Sequence, residues 1–303
     1  MSSSLSEDHS STISNSDSNT SSNITGLGTG TSGGGNITVR PAAFPDIARI
    51  ARVAVDSLPD DPTFDYLWSH RHEYPEDNYF FWQQTLKGHL FNPRFTLLVA
   101  TLTAPTEEKS AHYALSPAPP PPQAETIIAF GLWERNGRSR AARLRRRERN
   151  NCYNRLHRIL TRLETWSLTH HYSRRDSNPL HLSAFSSVMS SVHSTYWTSR
   201  YPENFHLDLL CTLPAFRRRG AGTALTRWGI DEARREGAAV GVESSPMGLG
   251  LYEGLGFRLL EKMVVNVQGE DEELVVRVMV CLPGKAAGTG TGAVAGIDGG
   301  VGR

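Results

Sequence analysis

The stretch LPAFRRRGAGTAL, Leu213 to Leu225, decides the fold. Three arginines run into a Gly-Ala-Gly turn, and the turn opens a helical pattern. The first turn of a helix carries N–H groups without intrahelical acceptors, so it attracts anions. Glycine there lets a ligand approach the main chain closely. The question is which anion this turn receives.

Two readings drop out on spacing. A nucleoside-triphosphate loop requires G-x-x-x-x-G-K followed by Ser or Thr, and no such run occurs. A dinucleotide fingerprint requires G-x-G-x-x-G, but the third position is Leu225. Glu243 does end the next strand-like run, where such folds place a ribose-binding acid. Against that, the first glycine lies seven residues past Leu213, too far for a strand-end turn.

Outward from the turn, the flanks are regular. FHLDLLCTL (Phe205–Leu213) alternates as a strand. GAGTALTRWGIDEARRE reads as a helix with Ala221, Ala224, Leu225 and Trp228 on one face and Gly237 at its end. AAVGVES (Ala238–Ser244) is a strand, GLGLYEGLGF a short helix and turn. RLLEKMVVNV and LVVRVMVCL are two strands joined by the polar turn QGEDEE. Upstream, ITVRPA (Ile37–Ala42) reads as a strand. The helix after it has Pro45 in its first turn and Ile47, Ile50, Ala51, Ala54 and Leu58 on one side. Residues 59–92 predict one or two aromatic-rich helices. FTLLVATL (Phe95–Leu102) and TIIAFGLWE (Thr126–Glu134) predict an antiparallel hairpin. Its tip, residues 103–124, is a Pro-rich exposed loop. Residues 138–168 read as basic helix, and 170–200 give no clear pattern.

P-A-F-R-R-R-G-A-G, as P-x-x-R-x-x-G-x-G between a strand and a helix, resembles the acetyl-CoA pyrophosphate loop of the GNAT superfamily of N-acyltransferases. LDLLCTLP is similar to that family's fourth strand, SSPMGLGLYEGLGF to its second CoA motif, and ITVRPAAFPDIARIARV to its first strand and helix. The resemblance implies an α/β (α+β) fold. Its sheet is mixed and mainly antiparallel, with helices on both faces and a central β-α-β CoA-binding unit. It covers residues 36–283, with 136–204 as a basic helical insertion. Residues 1–35, rich in Ser and Asn, and 284–303, rich in Gly, are expected to be disordered tails.

The implied activity is transfer of an acetyl group from acetyl-CoA, as co-substrate, to a primary amine by direct attack in a ternary complex. The cofactor-binding positions are Arg217, Arg218, Arg219, Gly220, Ala221, Gly222 and Thr223 for the pyrophosphate. Backbone of Leu210, Cys211 and Thr212 serves the thioester, and Ser245 stands where relatives carry an asparagine. Backbone N–H groups from Arg218 to Thr223 would converge on the diphosphate. Which arginine reaches phosphate is not legible. Tyr252 matches the family's acid beside the CoA sulfur.

For the base, strict alternation sets His206, Asp208, Leu210 and Thr212 on one strand face. The strand is similar to that of arylalkylamine N-acetyltransferase, whose two histidines stand at the positions of His206 and Asp208. A His–Asp pair is able to pass the amine's proton through water. A nucleophilic Cys211 is not expected, since no His accompanies it in sequence.

Other features bound the function. The formal net charge is +1, so no global field points to nucleic acid. Three separated cysteines form neither a disulfide framework nor a zinc pattern, and His170–His171 lacks further ligands, so no metal is expected. No apolar run reaches membrane-spanning length and no signal peptide is read, so a cytoplasmic or nuclear protein without a membrane partner is expected. Arg138–Arg149 holds seven arginines, which reads as a solvated helix, an import signal or an RNA face. Two alternatives to an enzyme follow, a silent CoA-binding regulatory module and a nucleic-acid adaptor built on that helix. The acceptor, a small-molecule or a protein amine, is not named by the sequence, nor is the oligomeric state. Aromatics at 66–82 lie where the family builds its acceptor pocket, although such residues more often form core.

Overall fold

The computed structural model describes residues 36–103, 125–171, 173–282 and 284. Of the expected tails 1–35 and 284–303 and the expected loop 103–124, all but Gly284 and Thr103 lie outside the described residues, and Thr103 ends a strand instead of opening the loop.

The elements follow the hydrophobic pattern. Strand β1 spans Asn36–Pro41, then a short 3-10 turn (Phe44–Asp46) leads into α1, Ile47–Asp56. Its buried side is Ile47, Ile50, Ala51, Val53 and Ala54, a 3.6-residue stripe. The aromatic stretch gives two helices, α2 (Pro62–Leu67) and α3 (Pro75–Leu90), each with Pro in its first turn. Strands β2 (Phe95–Thr103) and β3 (Glu125–Asn136) pair antiparallel, as the hairpin reading required.

The basic stretch is two helices, α4 (Arg140–Arg149) and α5 (Cys152–His171), broken at Asn150–Asn151. The segment without a pattern is α6, Pro179–Val192, capped by Asn178, followed by one π-helical stretch, His193–Arg200. Then come β4 (Asn204–Thr212), α7 (Ala221–Glu236), β5 (Ala239–Ser244), α8 (Leu249–Gly254), β6 (Arg258–Asn266) and β7 (Glu273–Cys281). Gly237 ends α7 in the left-handed region, φ 65°.

Among the described residues seven strands form one sheet in the order β1-β2-β3-β4-β5-β7-β6. Only β4 and β5 run parallel, bridged by α7 as a β-α-β unit; the other neighbours are antiparallel. Helices cover both faces. Leu225 and Ala233 of α7 pack with Phe205, Leu207 and Val240 on one face. On the other, Ile50 of α1 and Trp82 and Leu86 of α3 pack with Leu97, Val99 and Phe130.

Two irregularities in β4 shape a cleft. Trp133 of β3 faces Leu207 and Leu132 faces Leu209, so Asp208 is an extra, bulged residue. The parallel pairing with β5 stops at Leu207–Val242, while β5 continues along β7. From Asp208 to Thr212, β4 therefore has a strand partner only on its β3 side, and the sheet splays open there.

Candidate active site

The cleft at the splay has a volume of ≈ 1270 Å³ and runs from the arginine–glycine turn to the far side of β4. Its first end is made of main chain. Gly220 caps α7 at φ 92°, open space around its missing Cβ, so a left-handed backbone is what the position demands. Arg218 is also left-handed, φ 62°, the only such non-glycine among the described residues. The first main-chain bond of the helix comes from Ala224 N–H to Gly220 O. Among the described residues the N–H groups from Arg218 to Thr223 have no protein acceptor, which is what an anion nest requires.

The three arginines separate. Arg217 bridges to Asp60 (3.1 Å) and to the Ser57 carbonyl (2.6 Å), tying the turn to the α1–α2 connection. Arg218 lines the cleft and has no ion pair among the described residues. Arg219 lies over the Phe216 ring, 5.2 Å from its centroid, and is not part of the cleft wall. Gly220, Ala221, Gly222 and Thr223 all line the cleft, with Leu210, Thr212, Ser245 and Tyr252. Ser245 donates its hydroxyl to Asp61 (2.9 Å), the residue that caps α2.

The bulge corrects one expectation. Strict alternation put Leu210 and Thr212 beside His206 and Asp208. The extra residue at Asp208 reverses the phase, so Leu210 packs on the α7 face with Phe205 and Leu207, while Leu209 and Cys211 join the opposite core. His206 and Asp208 do meet. His206 Nδ1 donates to Asp208 Oδ1 at 2.6 Å.

His206 has a second partner that the strand alone does not show. Its Nε2 donates to Glu243 Oε2 at 2.6 Å, and Trp197 Nε1 donates to Glu243 Oε1 at 2.6 Å. Burial of the imidazole opposes its charge, but the two carboxylates, Glu243 foremost, win and hold its pKa well above the ordinary value. Burial likewise opposes the Glu243 carboxylate, and His206 with Trp197 more than offsets it, so Glu243 is held below its usual range. Gly241 makes this arrangement possible, since a Cβ there would sit 2.6 Å from the Trp197 ring. Glu134 of β3, directly across from His206, brings a third carboxylate near the ring. It is braced by Arg94 (3.0 Å) and Asn136 (3.0 Å). Glu134, His206 and Asp208 have ligand atoms within 4.8 Å of one another, but both ring nitrogens of His206 already serve carboxylates.

Tyr252 and Cys211 are both deep. The tyrosine lies edge-on to Phe257, centroids 5.4 Å apart. Burial first, then Cys211 and Glu243, push its pKa up, so the phenol is protonated at neutral pH. Burial and Asp61 push the Cys211 thiol far above its ordinary value, against a smaller effect of Ser57. A thiol held neutral is no nucleophile. The cleft's second end is walled by Phe64, Trp68, Trp82, Phe185 and Met189, with α6 as its outer side. Residues of α6 thus supply one wall of the cleft. Of the aromatics of 66–82, Trp68 and Trp82 belong to the core and also line the cleft.

Residues 194–269 match the family model described as an acetyltransferase (GNAT) domain. That match holds the β-α-β unit, the bare turn and Tyr252. Over 252 residues the chain is 23% identical to an acetyltransferase of Stachybotrys chartarum, covering 80% of this chain and 89% of that one. Among solved structures it is similar to a histone acetyltransferase HPA2 and related acetyltransferase from Corynebacterium glutamicum. The TM-score there is 0.45 at 17% identity, covering 84% of this chain and 98% of that one. A mosquito arylalkylamine N-acetyltransferase like 5b gives a TM-score of 0.42 at 14% identity, covering 81% and 99%. Among the described residues, no helix is long and apolar enough to cross a membrane.

Proposed function

We propose that the protein transfers an acetyl group from acetyl-CoA to a primary amine by direct attack in a ternary complex. The observation that carries this reading is the open edge of β4, which leads from six bare N–H groups to the Asp208–His206–Glu243 cluster.

The diphosphate of acetyl-CoA sits on the N–H groups of Arg218 to Thr223, with Arg218 as its side-chain cation. The pantetheine adds to the free edge of β4 as a strand would, from Thr212 toward Asp208. A β4 main-chain N–H in the Leu210–Thr212 segment then donates to the thioester oxygen and to the oxyanion that forms from it.

The amine arrives as an ammonium ion, with a free pKa of about 10. Glu134, Asp208 and Glu243 outnumber the single charge of His206 and favour the cation. His206 holds its own proton firmly, and both ring nitrogens are engaged, so it is a positioning residue. Asp208, exposed at the bulge, is the group that takes the ammonium proton, directly or through one water. The neutral amine attacks the carbonyl carbon, the tetrahedral adduct collapses, and the C–S bond breaks. The departing thiolate takes the Tyr252 proton, and the second proton of the amine nitrogen, lost as the neutral amide forms, returns through water to the phenolate. The aromatic walls beside the carboxylates suit an amine with an apolar body.

Calorimetric titration of acetyl-CoA into the wild type and Gly220→Trp tests the reading. Binding that is lost in the variant is expected, since a side chain at φ 92° is strained and its bulk enters the nest. Arg218→Ala should weaken binding about tenfold, and Arg219→Ala by less than about twofold. No heat in a folded wild type would refute the proposal.

A further inference from the structure

Helix α5 presents an apolar stripe that stays largely exposed among the described residues. Its inner side is narrow and polar. His157 stacks on Phe91 (centroids 4.5 Å), Thr161 is buried, and Glu164 is bound by Lys87 (2.7 Å) and Gln84 (3.0 Å) of α3. On the side turned away from α3, Leu156, Ile159 and Leu163 recur at helical spacing and are 55–59% exposed, and Trp166 (63% exposed) continues the stripe; Leu160 (49%) and Tyr153 (57%), whose ring lies against His157 with centroids 4.2 Å apart, edge it toward the inner side. A helix anchored by its polar side, with its apolar side in water, runs against the usual arrangement of a surface helix. A contiguous run of exposed large apolar side chains marks an interaction surface.

The charge around this face says which. Residues 138–171 hold ten arginines against two glutamates, a net of +8 in a chain whose net charge is +1. Arg155, Arg158 and Arg162 line one flank of the apolar stripe. None of them has a carboxylate partner among the described residues, and Arg158 reaches only Asn150. Arg140, Arg143 and Arg147 of α4 are exposed, as Arg155 and Arg162 are, and without ion pairs among the described residues, while Arg158 is half-buried. Arg145 is different, being bound to Glu232 and Glu236 of α7, which fixes α4 to the domain.

A second copy of the chain fits this pattern poorly. Antiparallel twofold pairing of α5 would set the arginine flank against itself, with no acid on that flank to answer it. The polar, Ser- and Asn-rich residues 1–35 bring few apolar side chains to cover the stripe. An apolar stripe carrying Leu, Ile, Tyr and Trp, edged by arginines whose stems reach past it, is the composition of a helix that lies in a membrane interface. We infer that α5, with the arginines of α4, docks the protein on an anionic lipid surface, its axis in the plane of the headgroups. The earlier expectation of no membrane partner rested on the lack of a spanning run, and interfacial binding needs none.

The test is co-sedimentation of the full chain with vesicles of phosphatidylcholine alone or with roughly one-third phosphatidylserine. Binding to the anionic vesicles only is expected. Arg155→Gln with Arg162→Gln should weaken it about thirtyfold, and Leu156→Glu with Leu163→Glu should abolish it. Acetyl-CoA titration of each variant checks that the domain is folded. In the wild type, brominated lipid should quench a fluorescence component that Trp166→Phe removes, a readout independent of the leucine variants. The inference fails if the wild type stays in the supernatant. It fails if the leucine pair binds as well as the wild type, which would mean charge contact alone. It also fails if light scattering finds a dimer that the leucine pair turns into a monomer.

Discussion

The two ends of the cleft are made of different materials. At the α7 end the groups that face a ligand are main-chain N–H, oriented by a left-handed Arg218 and Gly220 and by the first turn of a helix. At the β4 bulge end they are side chains. Asp208, His206, Glu243, Glu134 and Trp197 come from three strands and a π-helical stretch, joined by hydrogen bonds of 2.6 Å along most of the chain of contacts. A main-chain site is robust to most substitutions and fails only where the backbone cannot follow. A side-chain site fails one atom at a time, and its failures reach neighbouring groups through shared protons.

This contrast is open to attack. Asp208→Asn should leave acetyl-CoA affinity within about twofold but lower kcat by about 10²- to 10³-fold, because the amine loses its proton acceptor. A parallel loss of acetyl-CoA affinity would show that the two ends are coupled, and the contrast would break. Paired calorimetry and steady-state kinetics decide it.

Next in size is a stability effect confined to the side-chain end. The elevated pKa of His206 means the folded state binds its proton more tightly than the unfolded chain. That contribution is complete below the ordinary imidazole pKa of about 6.5 and is lost as pH rises through the elevated folded value. His206→Gln, which leaves Glu243 buried without its cation, should cost about 3 kcal/mol near pH 6. The deficit against the wild type should shrink as pH rises. Urea unfolding across that range measures it, and a constant deficit would mean that His206 is not held as the imidazolium.

The smallest effect is expected where the ends meet. Tyr252→Phe should reduce kcat by about tenfold, because a thiol with an ordinary pKa near 8.5 leaves with modest help. The loss should grow toward high pH in the wild type only if the phenol ionises, which its raised pKa prevents. A flat alkaline limb in the wild type that Tyr252→Phe does not alter agrees with this assignment.

Much of the scaffold was legible in residues close together in the chain. The turn before α7, the strands on either side and the hairpin of β2 and β3 each follow from local periodicity and from glycine placement. The pattern of bare N–H groups follows too, since a helix start without a side-chain cap leaves them free. The pairing of His206 with Asp208 was readable because the two are neighbours on one strand face. The phase of Leu210 and Thr212 was not. A bulge is a property of two paired strands, and the single sequence of β4 gives no sign of which residue will be squeezed out. Glu243 carried a visible signal, an acid at a strand end, but its role needed β4 and β5 side by side. Trp197 and α6 lie in the stretch without periodicity, and only packing against β5 and the cleft orders them.

By itself, then, the sequence determined the turn of unpaired N–H groups before α7 and the alternation of buried strands and helices, because both depend on interactions within a few residues. The tertiary structure decided which side chains share the far end of the cleft, which arginine is spent on Asp60 and which faces the cleft, and which side of α5 meets water. Those outcomes depend on contacts between residues far apart in the chain, whose energies appear only when the sheet has closed around them.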